Sequence, residues 1–316
     1  MVARRCRRHH LSRTGQPKPT RPPQLLTWDQ VPSWYAQTDR IRTGFRPVTQ
    51  STAECLASLA YLHNESVNIY SHLIPSLVFL VAAVVLFDVC LFTPLMSSRW
   101  YPGASWLDIL MIRFFLFTSA VCFGVSAVYH VLVCHSRAMA ERWVRLDYAA
   151  IVLQIWGSFL SGLYMCFYCE PGLRNGYWAM ITTLSVITAL IVLDARLQSL
   201  QWRMLRLWAF VATGLSAFAP IAHAVLIFPY GQLDKQSGLR YYYLEGVFIL
   251  LGAVVYATHW PESSRPNKYD IWGASHQLFH VLVVLGALAH LYGIFSAFDW
   301  NYRHPRCPVP ATGQES

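Results

Sequence analysis

Four ionisable residues are predicted to lie at the same boundary of three long apolar stretches. His130 ends one stretch, Asp147 begins the next, and His276 and His280 begin the last. Residues four apart share one helix face with their Cβ atoms about 5–6 Å apart, so both imidazoles of the last pair can reach one Zn²⁺ ion at about 2.0–2.1 Å. Three histidines with an open fourth position are typical of a catalytic zinc site, where a water becomes acidic enough to attack.

Asp147 is the candidate acid–base group of this site, because its carboxylate could orient the water or take its proton. A simpler interpretation stays open. A histidine at a membrane boundary is commonly an interfacial residue hydrogen-bonded to a neighbour, and an aspartate at a helix start could cap that helix. Spacing alone favours this simpler interpretation over a metal site.

Other histidines are not assigned to the site. His223 and His290 lie deeper in their stretches or nearer the opposite side, and we expect them to make packing hydrogen bonds. Glu245, in the outer part of the sixth stretch, has no obvious partner. Three more histidines flank helix ends, where histidine is common: His63, His72 and His135.

The elements that must position these residues are membrane-spanning helices. Hydrophobic residues make up 55% of the chain and charged residues 13%, so lipid must serve as part of its solvent. About 20 apolar residues cross a hydrocarbon core of about 30 Å, and unpaired backbone amides are excluded from lipid. We therefore predict an all-α membrane protein, a seven-transmembrane helix bundle. Its spans are residues 72–94, 108–132, 147–168, 177–194, 205–228, 240–259 and 276–298.

Local signals add detail to this bundle. Pro75 is predicted to lie in the first turn of its span, where proline is harmless, whereas Pro220 lies inside the fifth span and should kink it. A short helix from Ser51 to about Asn64 is expected to lie along the membrane surface. Cys166 and Cys169 have the spacing of a redox or metal pair, but no second pair accompanies them, so a packing role is favoured.

The chain divides into four predicted parts: a disordered basic N-terminal arm (1–25), a cytoplasmic pre-membrane segment with the surface helix (26–71), the seven-helix domain (72–298) and a short C-terminal tail (299–316). The arm holds seven basic residues and no acidic one. Without these seven, 18 basic residues remain against 16 acidic ones, so the formal charge of +9 is no signal for nucleic acid. The arm suits an anionic leaflet or no specific partner. It lacks the apolar region of a signal peptide and fits a transit peptide poorly.

The distribution of basic residues predicts the orientation. With the N-terminus in the cytoplasm, the cytoplasmic loops hold eight Lys or Arg residues and ten more precede the first span. The other side holds six, apart from Arg113 in the outer part of the second span. Because basic residues accumulate on the cytoplasmic side, we predict a cytoplasmic N-terminus and a C-terminus outside or in a lumen. Ordinary G-protein-coupled receptors have the reverse orientation.

Five segments, in this order, carry the residues of a known pattern. They are His63-Asn64-Glu65-Ser66-Val67-Asn68-Ile69-Tyr70-Ser71-His72; Ser126-Ala127-Val128-Tyr129-His130 with Cys134-His135-Ser136; Leu146-Asp147-Tyr148; Phe218-Ala219-Pro220-Ile221-Ala222-His223; and Asp270-Ile271-Trp272 through Ser275-His276-Gln277-Leu278-Phe279-His280. The pattern resembles the progestin and adipoQ receptor family, also called haemolysin III-related, which includes the adiponectin receptors. It runs from about Trp28 to Gly293 and is closer to the adiponectin-receptor-like and fungal osmotin-receptor-like branch than to the steroid-binding branch.

The resemblance implies a zinc site of His130, His276 and His280, with Asp147 acting through water and Ser126 nearby. It also implies ceramidase-like hydrolysis of a lipid amide, in which zinc polarises the carbonyl and Asp147 moves the proton. The expected partners are a membrane lipid (a ceramide-like substrate or a fatty-acid product) and an extracellular protein or lipid ligand, with no nucleic acid. The expected location is the plasma membrane or an endomembrane, with a role in lipid and metal homeostasis signalling.

Two further functions remain open from sequence. In a receptor, zinc would be a structural clamp between the second and seventh helices, and an outside ligand would shift the bundle. Structural zinc usually has four protein ligands, so three histidines with a water-mediated aspartate favour catalysis slightly. A transporter or channel is the least favoured function, because mid-bilayer charge is absent apart from Arg113 and no paired broken helices are apparent.

Overall fold

The fold is a bundle of long helices. The computed structural model describes residues 24–36, 38–91, 101, 104–305 and 307. Within these residues, seven helical stretches are long and apolar enough to cross a membrane, and the one β-bridge joins Leu26 to Phe45. The predicted seven-helix architecture is confirmed. Most of the predicted arm (1–25) and the end of the tail (299–316) lie outside the described residues. The helices are α1 (Thr52–Ala57), α2 (Ser66–Leu91), α3 (Trp106–Leu132), α4 (Arg137–Cys166), α5 (Pro171–Leu193), α6 (Arg203–Leu215), α7 (Phe218–Ile227), α8 (Tyr230–Ser237), α9 (Leu239–Thr258) and α10 (Ser275–Arg303).

Three helices begin well before the predicted spans, and one of them is α5, which starts at Pro171 rather than at 177. The first spanning helix, α2, starts at Ser66, so Pro75 lies inside it rather than in its first turn. The third, α4, starts at Arg137, where the Ser136 hydroxyl accepts a hydrogen bond from the Met139 N–H at 3.4 Å. Asp147 is therefore an interior residue of α4, and the capping role considered for it is wrong. The apolar run marks the part of the helix that lies in lipid. The helix itself extends further, to the point where its backbone N–H to C=O hydrogen bonds end.

The fifth span is interrupted where Pro220 predicts a kink. The helix α6 ends at Leu215 and α7 begins at Phe218. Proline lacks an N–H, and its ring clashes with the carbonyl four residues earlier, which here belongs to Ser216. The interruption lies at that carbonyl.

The surface helix is shorter than predicted. It runs from Thr52 to Ala57, with the Ser51 hydroxyl accepting from the Glu54 N–H, and continues as one 3₁₀ turn at Ser58–Ala60. Its two faces differ sharply, because Leu56 is 53% exposed and Cys55 is fully buried. This asymmetry is typical of a short helix lying on a larger body.

The pre-membrane segment is attached to the end of α3 through Arg46. This side chain is 1% exposed, and its guanidinium donates to the carbonyls of His130 (2.6 Å) and Val131 (3.0 Å) and to the Ser58 hydroxyl (2.8 Å). The last carbonyls of a helix lack intrahelical partners, and a cation there also complements the helix dipole. Arg46 therefore fixes the turn of α3 that carries His130.

The start of α10 is fixed by two side chains. The Glu262 carboxylate accepts hydrogen bonds from the Ser275 N–H (2.7 Å) and the Ser275 hydroxyl. The Gln277 side-chain oxygen accepts from the Gly273 N–H at 2.6 Å, and its amide donates to the Ile271 carbonyl at 3.0 Å. Together these bonds set the rotation of α10 about its axis, and with it the direction of the histidines on its first turns.

A disulfide closes the opposite end of the bundle. Cys169, just after α4, is bonded to Cys307, which follows α10. Cys166 is a free, buried thiol, so the Cys166-x-x-Cys169 spacing is not a redox pair and the packing role predicted for Cys169 is wrong. The partner of Cys169 is 138 residues away, a distance over which local spacing carries no information.

Candidate metal centre

Three imidazoles converge where the end of α3 meets the start of α10, a region called here the histidine end. One ligand nitrogen from each of His130, His276 and His280 lies within 4.8 Å of the others. The Nε2 atoms of His130 and His276 are 3.3 Å apart. The structure therefore brings together all three histidines that the sequence assigns to a metal.

A carboxylate orients the first of these rings. His130 Nδ1 lies 2.8 Å from Glu65 Oε2, and because a carboxylate only accepts, the imidazole must donate from Nδ1. Asn68 Nδ2 donates to the same oxygen at 2.7 Å. Burial alone would raise the pKa of Glu65, but the hydrogen bonds from His130 and Asn68 and the positive charges of His130 and Arg46 together outweigh it and lower the pKa to about 2. The proton on Nδ1 leaves Nε2 of His130 with its lone pair for a metal.

A backbone carbonyl plays the same part for His280. Its Nδ1 lies 3.1 Å from the Asn68 carbonyl and 3.4 Å from the Ser71 hydroxyl. A carbonyl also only accepts, so Nδ1 of His280 donates and Nε2 again carries the lone pair. Two of the three rings are thus held in the tautomer that binds metal through Nε2.

A polar row of three residues borders the cluster. His72 Nδ1 lies 2.9 Å from the Ser126 hydroxyl, and that hydroxyl interacts with the carboxyl of Asp147, which is also close to His130. The His72 ring stacks on His280 with centroids 3.7 Å apart and planes 5° from parallel. Asp147 is 9% exposed. Asp147 and Ser126 therefore lie beside the imidazoles, as their predicted roles require, although those roles stay predictions.

One measured separation in this donor set is that of a tetrahedral zinc site. Two nitrogens, each about 2.0–2.1 Å from such an ion, are about 3.3 Å apart, which equals the His130–His276 separation. The Nδ1 atoms of His130 and His280 are hydrogen-bonded to a carboxylate and a carbonyl. These groups are the usual partners of the second ring nitrogen in a zinc-bound histidine. Among the described residues, this is the one group of three or more His, Cys, Asp or Glu side chains whose ligand atoms approach so closely.

Two histidines outside the cluster, His223 and His290, behave as expected. His223 Nδ1 bonds the Tyr177 hydroxyl at 2.9 Å. His290 bonds Ser161 through Nε2 at 3.2 Å and Glu245 through Nδ1 at 2.7 Å. The packing hydrogen bonds predicted for both histidines are confirmed, and Glu245, which has no obvious partner in the sequence, is paired with His290.

Sequence reasoning misses the supporting residues. Glu65, Asn68 and His72 all precede or begin the first span, and His72 is interpreted from sequence as an ordinary residue at a helix end. The structure places all three against the imidazoles. The signal that could have found them is the His63–His72 segment itself, in which these polar residues recur at three- and four-residue intervals on one helix face.

Comparisons with known proteins identify the family of this chain. Residues 60–291 match the sequence profile described as haemolysin-III related. The chain belongs to the haemolysin-III related family. Members of this family similar to it include the ADIPOR-like receptor IZH2 of Saccharomyces cerevisiae, 35% identical over 276 residues that cover 87% of this chain and 84% of the yeast protein.

Two other known proteins match over similar lengths. The ADIPOR-like receptor IZH1 of Eremothecium gossypii is 33% identical over 275 residues, covering 87% of this chain and 85% of that protein. The adiponectin receptor protein of Drosophila melanogaster is 30% identical over 287 residues, covering 91% of this chain and 62% of the fly protein. The resemblance to the adiponectin-receptor-like branch is confirmed, and the chain is an integral, multi-pass membrane protein.

Proposed function

We propose that this protein is a zinc-dependent hydrolase of membrane lipid amides of the ceramide type, which also acts as a receptor. The observation that supports it best is the cluster of His130, His276 and His280, bordered by the buried carboxyl of Asp147. A set of three imidazoles leaves one tetrahedral position open, which is the feature that separates catalytic from structural zinc sites.

The chain's own residues divide the work of such a reaction. When bound, zinc supplies Lewis-acid polarisation of the amide carbonyl and lowers the pKa of water. Glu65 and the Asn68 carbonyl hold two imidazoles in the required tautomer. The Asp147 carboxylate takes the proton of the attacking water and delivers it to the leaving amine. Ser126, with one O–H to donate, orients that carboxylate.

The position of the centre suits an amphiphilic substrate. His130 lies in the last turn of α3 and His276 in the first turn of α10, so the centre lies near the end of two membrane-spanning helices. At this depth the polar head of a lipid meets its acyl chains. A ceramide-like substrate could thus present its amide to the imidazoles while its chains stay in the hydrocarbon.

The orientation proposed from sequence is supported by the disulfide. Disulfides persist in oxidising compartments and are rare in the cytosol. The Cys169–Cys307 bond lies at the end opposite the histidine end. If the end of the bundle that carries the disulfide lies outside the cell or in a lumen, the N-terminal segment and the metal centre lie on the cytoplasmic side. The membrane is then the plasma membrane or an endomembrane.

A receptor without hydrolysis is the alternative. The relatives named above are called receptors, and the three histidines join α3 to α10, as a structural clamp would. In that case an extracellular protein or lipid would shift the bundle, and zinc would keep the helices together.

Asp147→Asn separates the two functions. The amide keeps the size of the carboxylate but removes its basic oxygen, so ceramide hydrolysis by purified protein should fall by about 10²–10⁴. Zinc content should stay near one per chain, because the imidazoles remain. Glu141→Gln, an exposed carboxylate on the same helix, is the matched control and should keep full turnover.

The result that contradicts the hydrolase is specific. Wild-type protein with a full complement of zinc that releases no fatty acid from ceramide would contradict the hydrolase. Equal rates of release by wild type and Asp147→Asn would show that Asp147 is not the proton acceptor. Signalling that survives in Asp147→Asn without any measurable turnover would favour the structural clamp.

A further inference from the structure

Two thiols meet beneath the surface helix. The Sγ atoms of Cys55 and Cys134 are 3.6 Å apart, and the two residues are 0% and 1% exposed. Cys55 belongs to α1, and Cys134 lies in the turn that follows α3. The mechanism proposed above uses neither thiol.

The surroundings distinguish the two sulfurs. The Cys134 thiol donates to the Val131 carbonyl at 3.8 Å, and the Thr49 hydroxyl lies 3.6 Å from the Cys55 sulfur. The neighbouring thiol of Cys134 lowers the pKa of Cys55 against the effect of burial. A carbonyl beside the Cys134 sulfur can only accept a hydrogen bond and so disfavours a thiolate there, whereas the Cys55 sulfur has a hydroxyl and a thiol beside it. Cys55 is therefore better placed to be the thiolate, which is the nucleophile in cysteine chemistry.

The pair is mechanically connected to the metal centre. Cys134 follows His130 by four residues. The Arg46 guanidinium bonds both the His130 carbonyl and the Ser58 hydroxyl, and that hydroxyl bonds the Cys55 carbonyl at 2.7 Å. Cys55, Ser58, Arg46 and His130 thus form one continuous hydrogen-bonded unit between α1 and the end of α3.

We propose that Cys55 and Cys134 are a redox-active dithiol, which hydrogen peroxide closes to a disulfide and whose closure weakens metal binding at His130. The Cys55 thiolate attacks one peroxide oxygen, the O–O bond breaks, and the leaving hydroxide takes a proton to become water. The Cys134 sulfur then attacks the resulting sulfenic acid, and its hydroxyl leaves as a second water. Two thiols are oxidised to one disulfide and one peroxide is reduced to two waters.

The distance between the two sulfurs sets the size of the movement that closure of the disulfide causes. A disulfide bond is about 2.05 Å long, so closure draws the two sulfurs together by about 1.5 Å from their present 3.6 Å. The movement falls on the turn after α3 and on the Arg46 bonds that hold His130. Both sulfurs are buried, so peroxide would reach the pair through a local opening of the short helix α1 that covers it.

The experiment uses full-length, zinc-loaded protein in lipid nanodiscs, treated with hydrogen peroxide and then blocked with an alkylating agent. Peptide mass spectrometry measures the Cys55–Cys134 link. A chromogenic chelator measures the zinc dissociation rate in the same samples. Cys55→Ser and Cys134→Ser remove the link. Cys166→Ser, a buried thiol near the opposite end, is the matched control.

We expect linked peptide in wild type and in Cys166→Ser, with zinc release about tenfold faster than in the reduced protein, the size of effect seen when partners of metal ligands are disturbed. Both serine variants at the pair should release zinc at the reduced rate after peroxide. The absence of linked peptide in wild type overturns the proposal. So does linked peptide with an unchanged zinc rate.

The coupling to zinc rests on the proposed metal centre, and the two can fail separately. Reduced wild-type protein that holds no zinc would refute the metal centre. The linked peptide is scored without reference to metal, so it still decides whether the two thiols form the disulfide.

Discussion

Glu65→Gln tests how far metal binding at the candidate centre depends on a carboxylate that holds one of its imidazoles. Glu65 accepts from His130 Nδ1 at 2.8 Å and from Asn68 at 2.7 Å. The amide keeps the shape but removes the charge, and it can turn an N–H toward His130. The imidazole then loses the partner that places its proton on Nδ1 and raises its basicity. Loss of such a partner typically costs about 10–100-fold in metal affinity, which equals about 1.4–2.7 kcal/mol.

The same substitution should shift zinc release along the pH axis. Imidazoles must be neutral to bind metal, so three protons compete with each zinc ion. An affinity loss of about 10–100-fold, shared over three protons, moves the release midpoint upward by about 0.3–0.7 pH units. The pKa of Glu65 is near 2, so this carboxylate stays ionised throughout the titration and imidazole protonation alone drives release.

Chelator competition at fixed pH measures the affinity, and a pH titration of bound zinc measures the midpoint. Glu141→Gln is the control, since its ion pair with Arg137 is exposed and such pairs contribute little. Thermal unfolding of the metal-free proteins checks that the fold is intact. Equal zinc affinity and equal release midpoints in wild type and Glu65→Gln would refute the orienting role.

Further outcomes follow from the same geometry. The combined change of His276 and His280 to alanine should abolish the single zinc equivalent measured by elemental analysis, whereas His290→Ala should keep it; retention of zinc by a folded double variant would contradict the ligand assignment. An N-terminal epitope tag should be detected only after cells are permeabilised, and detection in intact cells would contradict the orientation. Cys307→Ser should free Cys169 for labelling by a maleimide reagent that does not cross membranes, and equal labelling of wild type would contradict the disulfide. Arg46→Met should lower the free energy of unfolding by about 1–3 kcal/mol, because it removes the buried guanidinium that donates to the His130 and Val131 carbonyls; an unchanged urea midpoint would argue against this.

Much of the fold is determined by the sequence alone, for reasons that operate over short distances. A run of about 20 apolar residues must cross lipid as a helix whatever surrounds it, so the seven spans could be located without tertiary information. The four-residue spacing of His276 and His280 places them on one face as soon as that helix forms. Pro220 interrupts its own helix through a clash with the preceding turn. The ends of the helices were less predictable, because α2 and α4 continue past the apolar stretches into polar sequence.

The supporting contacts of the candidate metal centre were decided only by the tertiary structure. Glu65 and His130 are 65 residues apart, and His72 and Ser126 are 54 apart, so they meet only if α2 and α3 pack in one particular rotation. The Cys169–Cys307 bond likewise requires that α4 and α10 end side by side. Helix rotation and neighbour choice depend on the fit of many side chains at once. A single sequence records which residues can bind a metal, whereas the packing of the helices determines which of them face it.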